Sequence, residues 1–300
     1  MSQTLLAGAT ALAGALLWLA RDERACLPAA IAIGAILYPA TDAILDFVHV
    51  AELVGQPTTL KALTPRQLAR MPWNIVESNL LVPLTGLALA AALGAQETAG
   101  RFLAPFRRRA SAWSMDLTLG WAAVPLIVAA EGLALAALQG PASFLQTADE
   151  SALFANATLV HVVLLSVTPA VAEELYYRNL LQGGLETLWP GARGAWVALL
   201  AQAVIFALAH ASYTSLAHLL GPLVFGLGMG ALRSIGGLGA CMVGHAGVNL
   251  FYFSVDPGAG SAALLVAVGV ISVLGLVVLA LTWETIRGRI VAGVRPVMPD

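Results

Sequence analysis

The chain has 300 residues, of which 59% are hydrophobic and 11% are charged, and its mean hydropathy is +0.84. These values are too apolar for a soluble globular domain and predict a polytopic membrane protein. The formal net charge of -2 comes with no basic patch, so the sequence predicts no nucleic-acid partner. Fourteen arginines against the single Lys61 favour a bacterial source, and hence the bacterial inner (plasma) membrane.

Nine apolar runs are long enough to cross about 30 Å of hydrocarbon, which predicts an all-α bundle of eight or nine spanning helices with a buried polar site. No Lys or Arg precedes the first run, whereas Arg21 and Arg24 follow it, so we expect an uncleaved span and not a signal peptide. With alternate connections in the cytoplasm, that side collects most arginines, Arg178 and Arg193 among them. The positive-inside rule then predicts an N-terminus outside and a cytoplasmic C-terminus. The runs are 4–20, 27–48, 78–95, 117–138, 152–188, 195–214, 216–232, 237–254 and 260–283.

Three regions follow from this hydropathy pattern. Residues 1–150 hold N-terminal transmembrane helices with an accessory role, and residues 151–256 form the core. Residues 257–300 supply the last transmembrane helix and a short cytoplasmic tail. In the long loop before the third run, residues 64–73 predict a short interfacial helix with Trp73 at headgroup depth.

The fifth run carries the adjacent carboxylates Glu173 and Glu174 and the cation Arg178. A charge in hydrocarbon costs at least about 2.5 to 3.5 kcal/mol, so these groups must face one another or a polar interior. Glu174 and Arg178 are four residues apart and share a helix face, while Glu173 lies about 100° round and shares its face with Tyr177. Either these charges form a functional site, or they are a buried pair that locks helix packing.

Pro169 offers this long run a place to kink or to begin a new helix. For a helix over 161–188, the rise of 1.5 Å per residue puts Glu173 about 22 Å from the cytoplasmic end. By the same rise, His210 lies about 24 Å from that surface on the next helix, which runs in the opposite direction. The two side chains are therefore expected at the same depth.

Three short motifs stand on three different helices of the core. Each motif is weak alone, but together they supply a base-capable carboxylate, two imidazoles and an amide donor. Hydrolysis of a peptide bond by water requires groups of these types. In the last motif, positions i and i+4 put the imidazole and the amide on one helix face. The motifs are Glu173-Glu174-Leu175-Tyr176-Tyr177-Arg178, Phe206-Ala207-Leu208-Ala209-His210 and His245-Ala246-Gly247-Val248-Asn249.

These motifs, spread over residues 160–255, resemble the signature of the CPBP family of intramembrane proteases. That signature reads Glu-Glu-x-x-x-Arg, Phe-x-x-x-His and His-x-x-x-Asn, and the family includes type II CAAX prenyl endopeptidases and bacteriocin-processing proteins. The aromatic residue common before the arginine is present as Tyr177, whereas Asn179 stands where the family usually has glycine. We expect that departure to touch helix packing more than chemistry.

The resemblance implies a glutamate-dependent endopeptidase that needs no cofactor and cleaves a membrane-anchored protein or peptide in the lipid bilayer. Glu173 with His245 would activate a water molecule, and His210 and Asn249 would position it or stabilise the oxyanion. Burial makes an unpaired carboxylate a better base, whereas an arginine partner keeps it ionised, but the sequence leaves open which glutamate is the base. The supporting residues implied are Glu174, Arg178, Tyr177 and Phe206.

Other functions are open to the same residues. Glu173, His210 and His245 with a water could ligate zinc, although no His-Glu-x-x-His pair stands on one helix. Buried Glu, Arg and His also mark the ion paths of proton-coupled transporters, but the sequence lacks the repeated halves typical of such carriers. A catalytically silent scaffold has no need to maintain so many costly buried groups.

The remaining polar residues in the apolar runs have simpler interpretations. A buried Glu131 is expected to face the bundle interior or a helix end. The glycines from Gly226 to Gly230 offer a small-residue face, which predicts close helix packing. We expect interior or helix-end positions for Asp42 and Asp46, positions near helix ends for His49, His161 and His218, and no metal-type site for Cys26 and Cys241.

Overall fold

A computed structural model of the chain describes residues 110–140, 158–189, 191–210, 219–255 and 262–291. Every regular element in these ranges is a helix, which confirms the all-helical class for this part of the protein. The first three apolar runs, and with them the total number of spanning helices, lie outside the described residues. The interfacial helix predicted over 64–73 lies outside them too, as do Cys26, Asp42, Asp46, His49 and His218.

Seven α-helices and one π-helical segment make up the described ranges. The fifth apolar run forms one continuous stretch over 159–188, as the sequence predicts, but its middle is wound as a π-helix. The other runs from residue 117 onward correspond to single helices. The elements are α1 (Ala110–Gln139), α2 (Leu159–Glu173), the π-helical segment (Glu174–Gln182), α3 (Gly183–Leu188), α4 (Ala192–Ala209), α5 (Leu220–Gly236), α6 (Leu238–Val255) and α7 (Ala262–Val291).

Four stretches of the described residues are long and apolar enough to cross a membrane, and α4 and α5 are shorter apolar helices. Large apolar side chains cover their outward faces; Leu133, Val266 and Leu281 are 64%, 64% and 82% exposed. An apolar surface of this kind is suited to contact with lipid, so the protein is integral to a membrane. The four stretches are Trp113–Gln139, Leu159–Glu186, Leu238–Val255 and Ala262–Glu284.

Helix α2 begins at a capping box. The Thr158 hydroxyl accepts a hydrogen bond from the backbone N–H of His161, and Nδ1 of the His161 ring accepts one from the backbone N–H of Thr158 at 3.1 Å. These bonds satisfy two N–H groups that the first turn of a helix leaves without partners. His161 therefore lies at a helix end, as predicted.

Pro169 does not interrupt the helix. Helix α2 continues through it to Glu173, so of the two alternatives that the sequence left open, a kink or a new helix, the new helix is excluded. The hydroxyls of Ser166 and Thr168 donate to backbone carbonyls four residues earlier, at 2.7 and 2.8 Å. Such side-chain bonds help a transmembrane helix to tolerate a proline. The winding changes instead at Glu174, where the π-helical segment begins.

A single residue, Gly237, joins α5 to α6. Its φ of 86° lies in the left-handed region, which glycine adopts without steric cost. Its N–H donates to the carbonyl of Arg233 at 2.9 Å and so closes the last turn of α5. The short connection makes α5 and α6 neighbours in the bundle.

Helix α6 lies at the centre of the described bundle. It contacts α1, α2, α5, α7 and the π-helical segment. In the membrane-spanning part of α6, 56% of the residues are buried, against 17% in that of α7. Helix α7 is therefore peripheral, whereas α6 carries its polar side chains into the interior.

Helices α4 and α5 pack closely through glycine. A Cβ atom at Gly226 would lie only 2.9 Å from the Cα of Ala203, so a larger residue has no room there. The side-chain amide of Gln202 crosses the same contact and donates to the Gly226 carbonyl at 2.7 Å. The close packing predicted for the 226–230 face is confirmed.

Candidate active site

The imidazole of His245 on α6 lies between the two adjacent glutamates. Its Nδ1 is at hydrogen-bond distance, 2.7 Å, from Oε1 of Glu174, and its Nε2 is 4.0 Å from Oε2 of Glu173. His245 is 4% exposed, so both carboxylates meet it inside the bundle. Glu173 ends α2 and Glu174 begins the π-helical segment, so the change in winding falls between the two carboxylates that meet this ring.

Arg178 places a positive charge beside Glu174. Its Nη1 is 3.1 Å from Oε1 of Glu174, and both side chains are completely buried. The guanidinium also lies over the ring of Phe206, with its Cζ 4.6 Å from the ring centroid. The ion pair and the cation–π contact together offset part of the desolvation of the charge.

The burial of Arg178 corrects one part of the sequence interpretation. An arginine orients a membrane protein through its position in a loop or beside the membrane surface. Arg178 is 0% exposed and belongs to the interior site, so it is wrong to count it among the cytoplasmic charges.

Phe206 on α4 connects the site residues of several elements. Its ring centroid is 5.0 Å from that of Tyr177 and 4.5 Å from that of His210. Phe225 on α5 stacks on Phe206 and also contacts the edge of His245, with centroids 5.4 and 4.6 Å apart. Close aromatic packing limits how far each ring can move, so Tyr177 and Phe206 hold the polar groups in place.

A cavity of about 140 Å³ adjoins this cluster. It is large enough to hold several water molecules and is lined by polar as well as aromatic groups. His210, His245 and Asn249 line it, whereas Glu173 lies beside it, next to His245. The other lining residues are Glu131, Phe206, Pro222, Phe225, Val248 and Tyr252.

His210 and Asn249 both bond to backbone carbonyls. Nδ1 of His210 is 2.8 Å from the carbonyl oxygen of Phe206, and because a carbonyl only accepts, the ring proton is assigned to Nδ1. The Asn249 amide donates to the carbonyl of Ser166 on α2 at 3.4 Å. Of the four predicted catalytic residues, the structure thus brings three to one cavity and the fourth, Glu173, to the ring of His245.

The zinc alternative requires Glu173, His210 and His245 to converge on one ion. Within the described ranges, no group of three His, Cys, Asp or Glu side chains is arranged to hold a metal ion. One ring nitrogen of His245 is already bonded to Glu174.

Two polar residues of the described helices, Asp116 and Tyr252, carried no signal in the sequence. Asp116 is 2% exposed, and its carboxylate occupies the space that a Cβ atom at Gly239 would need, in the first turn of α6, where a helix N-terminus favours negative charge. It directly precedes an apolar run, so it resembles an ordinary flanking residue. Tyr252 donates from its hydroxyl to Oε2 of Glu131 at 2.9 Å, and Glu131 faces the interior as predicted.

Comparison with known protein families supports the interpretation of the motifs. Residues 155–251 match the family model described as type II CAAX prenyl endopeptidase Rce1-like. The match spans all three motifs and confirms the family resemblance for this part of the chain, which is similar to an Rce1-like domain. No curated protein and no solved structure matches the chain.

Proposed function

We propose that this protein is a glutamate-dependent intramembrane endopeptidase that hydrolyses a peptide bond of a membrane-anchored protein or peptide. The position of His245 between Glu173 and Glu174 carries the proposal. The carboxylate of Glu174 orients the imidazole through Nδ1. The carboxylate of Glu173 faces Nε2, and a water molecule is activated between these two groups.

Glu174 determines which nitrogen of His245 carries the proton. A carboxylate paired with an arginine accepts hydrogen bonds, so the proton between Glu174 and the ring is assigned to Nδ1 of His245. Nε2 then presents a lone pair on the side of Glu173. Two proton-accepting groups therefore stand 4.0 Å apart, which is longer than a direct hydrogen bond.

A water molecule between Glu173 and Nε2 can donate a hydrogen bond to each of them. As its oxygen attacks the carbonyl carbon of the substrate, Glu173 accepts one proton and the carbonyl oxygen becomes an oxyanion. When the tetrahedral intermediate breaks its C–N bond, Glu173 returns the proton to the leaving amine. The products are a carboxylic acid and an amine, and Glu173 is again ionised.

Asn249 and His210 complete the site from the cavity side. Asn249 has a second amide N–H beyond the one bonded to Ser166, and an amide can donate to a developing oxyanion. His210 carries its proton on Nδ1, so its Nε2 can accept a hydrogen bond from a second water molecule, which in turn donates to the oxygen of the attacking water and positions it. In these roles the rings of His210 and His245 each carry one proton, on Nδ1.

The apolar surface indicates how the substrate enters, and the arginine distribution indicates how the protein is oriented in the membrane. A membrane-anchored substrate reaches the interior from the bilayer, because the outward faces of the helices are apolar. The arginine distribution, without Arg178, still favours an outside N-terminus and a cytoplasmic C-terminus in a bacterial inner membrane.

The direct test reconstitutes the purified protein in vesicles with a library of lipid-anchored peptides that are randomised over their central residues. We expect internal peptide bonds to be cleaved by the parent protein and not by Glu173→Gln, with the products identified by mass spectrometry. Peptides that stay intact with the parent, under conditions where the protein is folded and inserted, would contradict the endopeptidase assignment.

Chelation separates the glutamate mechanism from the zinc alternative. Zinc proteases hold their ion through three protein ligands and lose activity without it. We expect cleavage of a library peptide to continue at an unchanged rate after exhaustive chelation, with less than stoichiometric zinc by elemental analysis. Activity that disappears on chelation and returns with added zinc would establish the metalloprotease instead.

A further inference from the structure

Glu131 and Tyr252 form a second polar group in the cavity, and the proposed hydrolysis uses neither of them. Glu131 lies on α1 and is 7% exposed; its Oε2 accepts the hydrogen bond from the Tyr252 hydroxyl at 2.9 Å. Both residues line the same cavity as His210, His245 and Asn249. The lining of the cavity therefore includes a carboxylate that the proposed reaction does not use.

No cation of the described ranges neutralises this carboxylate. The buried Arg178 pairs with Glu174, and Arg233 pairs with Glu186 at 2.8 Å. A carboxyl group in an apolar span is costly to ionise and stays protonated unless it meets a cation, further donors or water. Among the described residues, Glu131 receives a hydrogen bond from one side chain, the hydroxyl of Tyr252, so its cavity side is suited to a group that a ligand brings.

The distance from the reaction centre can be read along α6. Tyr252 is seven residues after His245 on the same helix face, which corresponds to a rise of about 10 Å. An extended peptide covers that length in about three residues. Val248 and Asn249 line the cavity between the two positions, so one strand of substrate can touch both ends.

We propose that Glu131 and Tyr252 form a subsite for a basic side chain of the substrate, Lys or Arg, about three residues from the bond that is cleaved. The cavity wall includes the apolar residues Pro222, Phe225 and Val248, which suit the apolar stem of such a side chain, and the carboxylate of Glu131 binds its charged end. This specificity rests on the proposed protease function, since it assigns the substrate of that same site.

The test measures binding and does not require cleavage. Glu173→Gln protein in nanodiscs is titrated with fluorescent lipid-anchored peptides that carry one lysine, moved stepwise along an otherwise apolar sequence. Matched peptides carry norleucine in its place, which has a similar stem and no charge. We expect lysine to lower Kd about 10- to 100-fold at one position or at two adjacent ones, the effect of one charge-assisted hydrogen bond.

Two variants in the same background locate the effect. Glu131→Gln removes the charge while its amide oxygen still accepts from Tyr252, so the fold is preserved and the lysine preference should disappear. Tyr252→Phe keeps the carboxylate and should keep the preference. Equal Kd values for lysine and norleucine peptides at every position, or a preference that survives Glu131→Gln, would reduce the pair to a packing contact between α1 and α6. Because no bond is broken in this experiment, its outcome is independent of whether the protease assignment holds.

Discussion

We expect Glu173→Gln to leave no cleavage above background and Asn249→Ala to keep a measurable rate. Glutamine has nearly the shape of glutamate but cannot accept the proton that an attacking water releases, so the first step has no base. Asn249 is one donor to an oxyanion, and removal of a single such donor typically lowers kcat by about 10²- to 10³-fold. Glu173→Gln therefore removes the base that the reaction needs, whereas Asn249→Ala removes only part of the stabilisation of the oxyanion.

Initial rates of both variants and the parent on one library peptide, in one bilayer composition, provide the measurement. Both substitutions lie close to His245, so inserted yield and thermal unfolding must first match those of the parent. Full activity in Glu173→Gln would remove Glu173 from the mechanism and turn attention to Glu174. A total loss in Asn249→Ala at normal stability would show that the amide does more than stabilise charge.

Local spacing in the sequence predicts part of this site well. The separation of Glu174 and Arg178 by four residues indicates a shared face, and the two side chains form an ion pair in the interior. The same spacing puts His245 and Asn249 on one face of α6, and both line the cavity. Contacts within one helix are fixed by its periodicity, so a pattern of charges in an apolar run is enough to predict them.

Spacing within one helix does not predict contacts between segments that are distant in the sequence. The hydrogen bond from His245 to Glu174 depends on how α6 packs against the π-helical segment, and no spacing encodes that register. The bond of Tyr252 to Glu131 joins α6 to α1 in the same way. The sequence could therefore predict that a glutamate is structural, but it could not predict which imidazole nitrogen that glutamate engages.

The π-helical segment had no signal of its own. Its apolar and charged residues are consistent with an ordinary helix, and the only candidate for an irregularity was Pro169, which the helix passes through. π-helical turns are rare and often occur at functional sites. Here the segment contains Glu174 and Arg178 and begins directly after Glu173.

We expect Glu174→Gln and Arg178→Ala each to lower the free energy of unfolding by about 3 to 5 kcal/mol, the typical cost of removing one partner of a buried pair. In the first variant Arg178 keeps its aromatic neighbours but loses its only carboxylate within the described residues. In the second, the buried Glu174 keeps the hydrogen bond to His245 without a compensating charge. Either loss leaves an uncompensated charge in a fully buried position.

The ion pair of Arg233 and Glu186 provides the matched control. Its atoms are as close, 2.8 Å, but its side chains are 17% and 24% exposed, and it connects α5 to α3 away from the cavity. Partly solvated pairs contribute much less, so Arg233→Ala should cost about 1 kcal/mol or less. Reversible unfolding in mild detergent, with a double-mutant cycle for each pair, measures the difference. If Glu174→Gln and Arg178→Ala were as stable as Arg233→Ala, the buried pair would serve the reaction alone, and the orientation of His245 would have to come from packing against Phe225 instead.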